Sequence, residues 1–101
     1  MKYAVILTLA MSLKRADDEL NRVYGALLSK ESDADAVAKI RRAEEAWIRY
    51  RDAYIEAMWP AKDKQAEYGT VYPMQVNLVR ANLTRRQVDA LKELAEEHSP
   101  R

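Results

Sequence analysis

Two glycines and three prolines in 101 residues leave this chain few places to turn. A chain so short of breakers is expected to form long helices, and its apolar residues are spaced to match. From Leu13 they fall at 13, 16, 20, 23, 24, 27 and 28, the period of one helical face. Gly25 costs about 1 kcal/mol there relative to Ala without ending the pattern. "SKESD" (29–33) reads as the first turn, with Ser32 and Asp35 spaced as a capping box. A second helix over about 33–59 carries Val37, Ile40, Trp47, Ile48, Ile55 and Met58 as its stripe. Pro60 ends or kinks it. The polar stretch 61–72 reads as the one long connection, and Pro73 suits the first turn of a third helix. In that helix Tyr72, Val76, Val79 and Leu83 share a face, and Ala90, Leu91 and Leu94 make a new one. Thr84 and Gln87 form a second capping pattern at the change of phase. The expectation is an all-α fold: a small antiparallel bundle of three to four helices, its last segment broken or kinked near 82–84. One helical domain over 13–97 accounts for the length.

Composition excludes several functions. Charged residues are 33% of the chain, yet the net charge is +1, so no strong field steers nucleic acid or an anionic membrane to it. There is no cysteine, hence no thiolate zinc site and no cysteine nucleophile. The single histidine, His98, lies three residues from the C-terminus, so neither a histidine-based triad nor a multi-histidine metal site is available. No cofactor or metal is expected. "MKYAVILTLAMSL" admits two readings, residues 1–12 being either the start of a secretory signal or an extension of the first helix. It is too short to span a bilayer.

A helical wheel puts charge where the core should be. Asp17 falls between Leu13, Leu20 and Tyr24, and Asn21 lies at the edge of that stripe. Arg51 stands four residues after Trp47 and four before Ile55, with Glu44 near it. An isolated charge in a core is heavily penalised, so a pairing of Arg51 with Asp17 is expected, with Glu44 and Asn21 as further acceptors. Breaking such a buried pair costs about 3–5 kcal/mol. A fixed helix register is the plain role for such a network. A catalytic or ligand site is the other reading. Two carboxylates with no accompanying histidine or substrate motif are a weak match to a glycosidase. Tyrosines invite the same comparison. Tyr50 and Tyr54 read as rings packed on the surface with hydroxyls in water. Tyr68 and Tyr72, flanking Gly69 and Thr70 in the long connection, read equally well as a partner surface.

Four stretches, taken in order, resemble a known family. "ADDELNRVYGALL" (16–28), "AWIRYRDAYI" (46–55), "YGTVYPM" (68–74) and "LTRRQVDAL" (83–91) are similar to the signatures of the LprI-like lysozyme-inhibitor domain. These run roughly A-D-x-x-L-N-x-x-Y, W-x-x-[FY]-R-D-x-x-C, G-G-S and C-x-x-x-L-T-x-x-R. The positions carried over are Asp17, Leu20, Asn21 and Tyr24; Trp47, Arg51 and Asp52; Gly69 and Thr70; Leu83 and Thr84. The chain departs from the pattern as well. The family's cysteines fall on Ile55 and Val79, the resemblance implies that packing replaces a disulfide there, and contact between the two side chains is expected. Gly-Gly-Ser becomes Tyr68-Gly69-Thr70, and the final arginine becomes Gln87. The resemblance implies a secreted, periplasmic or lipid-anchored bacterial protein, not an enzyme, whose partner is a protein and whose named target is lysozyme. An inhibitor of that kind has to occlude a cleft, and 61–72 is the segment placed to do it. Lysozymes are generally basic, so a net charge of +1 gives no electrostatic help to association. A helical structural or interaction module of the cell envelope, with no lysozyme target, is the alternative. The sequence leaves the oligomeric state open.

Overall fold

A computed structural model describes the backbone of residues 2–98 and the side chains of residues 11–98. Among the described residues four helices follow one another: α1 (Lys2–Lys30), α2 (Ala34–Met58), α3 (Lys64–Tyr68) and α4 (Tyr72–His98). The fold is all-α, with no strand among the described residues. Residues 2–12 continue α1.

Helix α1 buries the stripe its sequence announces: Ala16, Leu20, Val23 and Leu27. With Ile40 of α2 and Val88 and Leu91 of α4, three of them, Leu20, Val23 and Leu27, form the central apolar cluster, flanked by Tyr24, Leu28, Trp47 and Leu94. Helix α2 contributes less than expected. Its buried residues are Ile40, Glu44 and Ile55, while Ile48 and Met58 of the predicted stripe are 40% and 47% exposed. The molecule measures 51 × 30 × 16 Å. The long axis follows from α1, whose 29 residues extend about 44 Å at 1.5 Å each. At 16 Å thick, a single layer of helices cannot cover two sides of α2.

The turns are built differently from the sequence expectation. Asp33, not Ser32, caps α2, its carboxylate accepting the Asp35 amide at 3.1 Å. The connection 61–72 is not all loop. Asp63 caps α3 by accepting from the Ala66 amide at 3.0 Å, and Gly69 ends it at φ 77°, the left-handed region glycine favours.

Helix α4 is unbroken from Tyr72 to His98, so the expected division into two short helices does not occur. Its buried residues run Val76, Ala81, Leu83, Thr84, Val88 and Leu91, one stripe without a change of face. The apparent phase change arose because a polar residue, Thr84, occupies an inward position. Thr84 is fully buried and its hydroxyl donates to the Arg80 carbonyl at 2.7 Å, so it caps nothing.

Candidate functional site

Asp17 and Asn21 of α1, Glu44 and Arg51 of α2, and Arg80 of α4 line one pocket of about 640 Å³. Sequence reasoning thus collected four residues that the fold does bring together. The bonding is not the one expected. No Asp17–Arg51 ion pair forms: the nearest carboxylate to Arg51 is its neighbour Asp52, with Nε to Oδ1 at 3.7 Å. Arg51 instead lies over the indole of Trp47, its guanidinium carbon 5.0 Å from the ring centroid. Glu44 is buried and accepts from Gln87 Nε2 at 3.1 Å, joining α2 to α4. Asp17 and Asn21 make no side-chain hydrogen bond or ion pair among the described residues, and Asn21 is exposed.

Arg80 was missed. It has no charged neighbour at helical spacing and falls on the half-buried side of α4. Its one sequence signal is its place in the heptad between Val76 and Leu83/Thr84, an inward position that looks polar and was read past. Its Nε, like that of Arg51, is buried without a hydrogen-bond partner.

The second group lies at the C-terminal end of α2. Trp59 meets Tyr72 edge-on at 5.7 Å, and Tyr72 stacks on Tyr68 at 5.6 Å. Tyr68 turns its hydroxyl inward to accept the Ala61 amide at 2.9 Å. Lys64 donates to the Trp59 carbonyl and to Glu56, the latter at 2.7 Å. Tyr68 and Tyr72 are therefore half-buried struts of the connection, neither free in solvent nor fully enclosed. Between them Gly69 is half-buried and Thr70 exposed, followed by Val71 at 47% exposure. Tyr50 and Tyr54 lie exposed on the outside of α2, rings 6.0 Å apart, as ordinary surface tyrosines.

Of the two positions implied to replace a disulfide, Ile55 is buried in α2 and Val79 is half-buried on α4, one turn after buried Val76. No helix of the described residues is long and apolar enough to cross a membrane. No group of three or more His, Cys, Asp or Glu side chains among them could hold a metal ion.

A protein of Rhizobium meliloti (strain 1021), uncharacterized by its name, is 32% identical over an alignment of 95 residues. The alignment takes in 82% of this chain and 66% of that relative, so the chain spans just under two-thirds of the relative's length. No solved structure matches. The family model described as "Lysozyme inhibitor LprI" matches residues 6–91, a span that holds both the pocket and the aromatic strut, and the chain belongs to that family.

Proposed function

We propose that this is a non-enzymatic, secreted or periplasmic binding protein that inhibits lysozyme by presenting the 61–72 segment to the enzyme's cleft. The observation that carries the reading is the construction of that segment. The short helix α3, capped at both ends, the Ala61 amide donating to the Tyr68 hydroxyl and the Trp59–Tyr72–Tyr68 stack hold it against the end of α2. A segment already fixed in shape loses less conformational freedom on binding than a free loop does. Its outward residues, Gln65, Thr70 and Val71 among them, are free to enter a cleft.

One observation favours a second reading, an envelope interaction module with another protein target. The chain carries a net charge of +1, which does nothing to draw it to a basic enzyme. Titration of hen lysozyme with the purified protein separates the two. Stoichiometric loss of lytic activity, weakened by Thr70→Lys and Val71→Lys, supports inhibition through this segment. Full lytic activity at micromolar excess rejects it and leaves the interaction module.

A further inference from the structure

The pocket between α1, α2 and α4 contains charges of both signs, of which Arg80 and Asp17 form no ion pair among the described residues and Arg51 has only the 3.7 Å approach to its neighbour Asp52. Arg51 and Arg80 come from different helices, and each has its Nε buried with no acceptor. With that edge enclosed, the outer nitrogens are left as the donors available to the pocket. Arg51 is also fixed in place, 18% exposed and laid over Trp47. A guanidinium held in one orientation suits the two oxygens of a carboxylate. On the same pocket wall the side chain of Asp17, on α1, has no hydrogen bond or ion pair among the described residues. Glu44, also on the wall, is occupied by Gln87.

We propose that this pocket binds a zwitterion with an apolar side chain, its carboxylate held by Arg51 and Arg80 and its ammonium by Asp17. The balance of charge selects the class. Two guanidiniums face three carboxylates, Asp17, Glu44 and Glu45. A dianion such as a phosphate monoester meets those carboxylates, and a plain cation meets the arginines. A molecule with separated charges and no net charge satisfies both sets. Leu13, Leu20 and Tyr24 supply the apolar wall for its side chain. The volume suits an amino acid or a dipeptide, which share this chemistry.

Trp47 reports on the site directly, since it lies under Arg51. In the Trp59→Phe variant it is the single indole. The protein is titrated with L-leucine and with L-leucyl-L-leucine while Trp47 fluorescence is followed, and acetate and leucinamide serve as half-ligands. The expected result is a saturable change with one zwitterion or both, at a Kd of about 1 mM or tighter, and binding at least about tenfold weaker for each half-ligand. Which zwitterion binds more tightly identifies the source as a free amino acid or a peptide. Arg80→Gln and Asp17→Asn should each weaken the response at least about tenfold with helical circular dichroism unchanged. Two results overturn the proposal: no saturable change with either zwitterion, or acetate binding as well as leucine. Should Arg80→Gln fail to fold, Asp17→Asn decides alone, because Asp17 holds no other group. The fluorescence assay is independent of lysozyme, so its failure and the failure of inhibition are separate outcomes.

Discussion

At the scale of single residues, the decisive contrast is between Asp17 and Trp47. A buried Asp17–Arg51 pair implied a loss of about 3–5 kcal/mol on removing either partner. Asp17 has no side-chain partner among the described residues, so its removal strands no charge there. Asp17→Ala should therefore change stability by under about 1 kcal/mol, the range of surface substitutions and exposed pairs. Trp47→Ala removes an indole from beside the central cluster and uncovers Arg51, and should cost about 3 kcal/mol or more. Chemical denaturation of the two variants orders them, and equal losses would mean that Asp17 is bonded after all. Gly25 offers a gain. It is exposed in mid-helix, and a Cβ added there meets nothing within 4 Å. Gly25→Ala should raise the unfolding free energy by the helix-propensity difference, about 1 kcal/mol, whereas Gly69→Ala should lower it because φ there is 77°.

At the scale of elements, the sequence was most legible where side chains and period agreed. The stripe of α1 can be read straight from Leu13 to Leu28, and its buried members are the ones expected. Helix α4 was misread because Thr84 and Gln87 look like a cap and occupy inward positions. Their partners, the Arg80 carbonyl and Glu44, are supplied by the folded structure and leave no trace in local spacing. That polar side chains meet was legible too, since Asp17, Asn21, Glu44 and Arg51 do share a pocket, but the pairing was not, and Asn21 stays exposed at its rim. Pairing depends on how far apart α1 and α2 stand, and a helical wheel contains no such distance. The Glu44–Gln87 bond is the polar tie between α2 and α4. A double-mutant cycle of Glu44→Ala and Gln87→Ala should give a coupling of about 1.5–3 kcal/mol, as for a buried hydrogen bond to a charged group. Additive losses would show that the bond is not held in solution. A second tie joins the end of α4 to the α1–α2 turn, where Glu31 accepts the Asp33 amide at 3.1 Å and meets His98 Nδ1 at 2.9 Å. The Asp33 amide first, and His98 next, hold the Glu31 carboxyl below the usual carboxylate range. A depressed folded-state pKa stabilises fully above the unfolded value, near 4.5, and that contribution is lost as pH falls through the folded value. Glu31→Gln should therefore flatten the acid limb of a stability–pH curve below about pH 5 and leave the neutral plateau's shape unchanged. An identical acid limb in the variant would show that the tie contributes nothing.

At the scale of the whole molecule, the thinness of the structure sets an order of opening. The central cluster draws three residues from α1, two from α4 and one, Ile40, from α2. Along its 25 residues α2 buries Ile40, Glu44 and Ile55, and one of those is a carboxylate. Burial of apolar surface supplies most of the free energy that holds an element in place, at about 25 cal/mol per Å². Of the three long helices α2 has least of it, and a pocket lined by polar side chains lies between part of its length and α1. Local opening selects the element with the fewest buried apolar contacts. Native-state hydrogen exchange should therefore show amides of 16–27 and 81–91 exchanging only by global unfolding. Those of 45–54, between Glu44 and Ile55, should exchange through a lower-energy opening. Trp47 belongs to that segment, so a zwitterion seated in the pocket should slow exchange across 45–54, and should slow 16–27 and 81–91 by the same factor, since neither the locally opened nor the globally unfolded state binds it. Uniform protection of α1, α2 and α4 in the free protein would mean that α2 opens only with the rest, and that the thin packing of α2 does not decide which helix opens first.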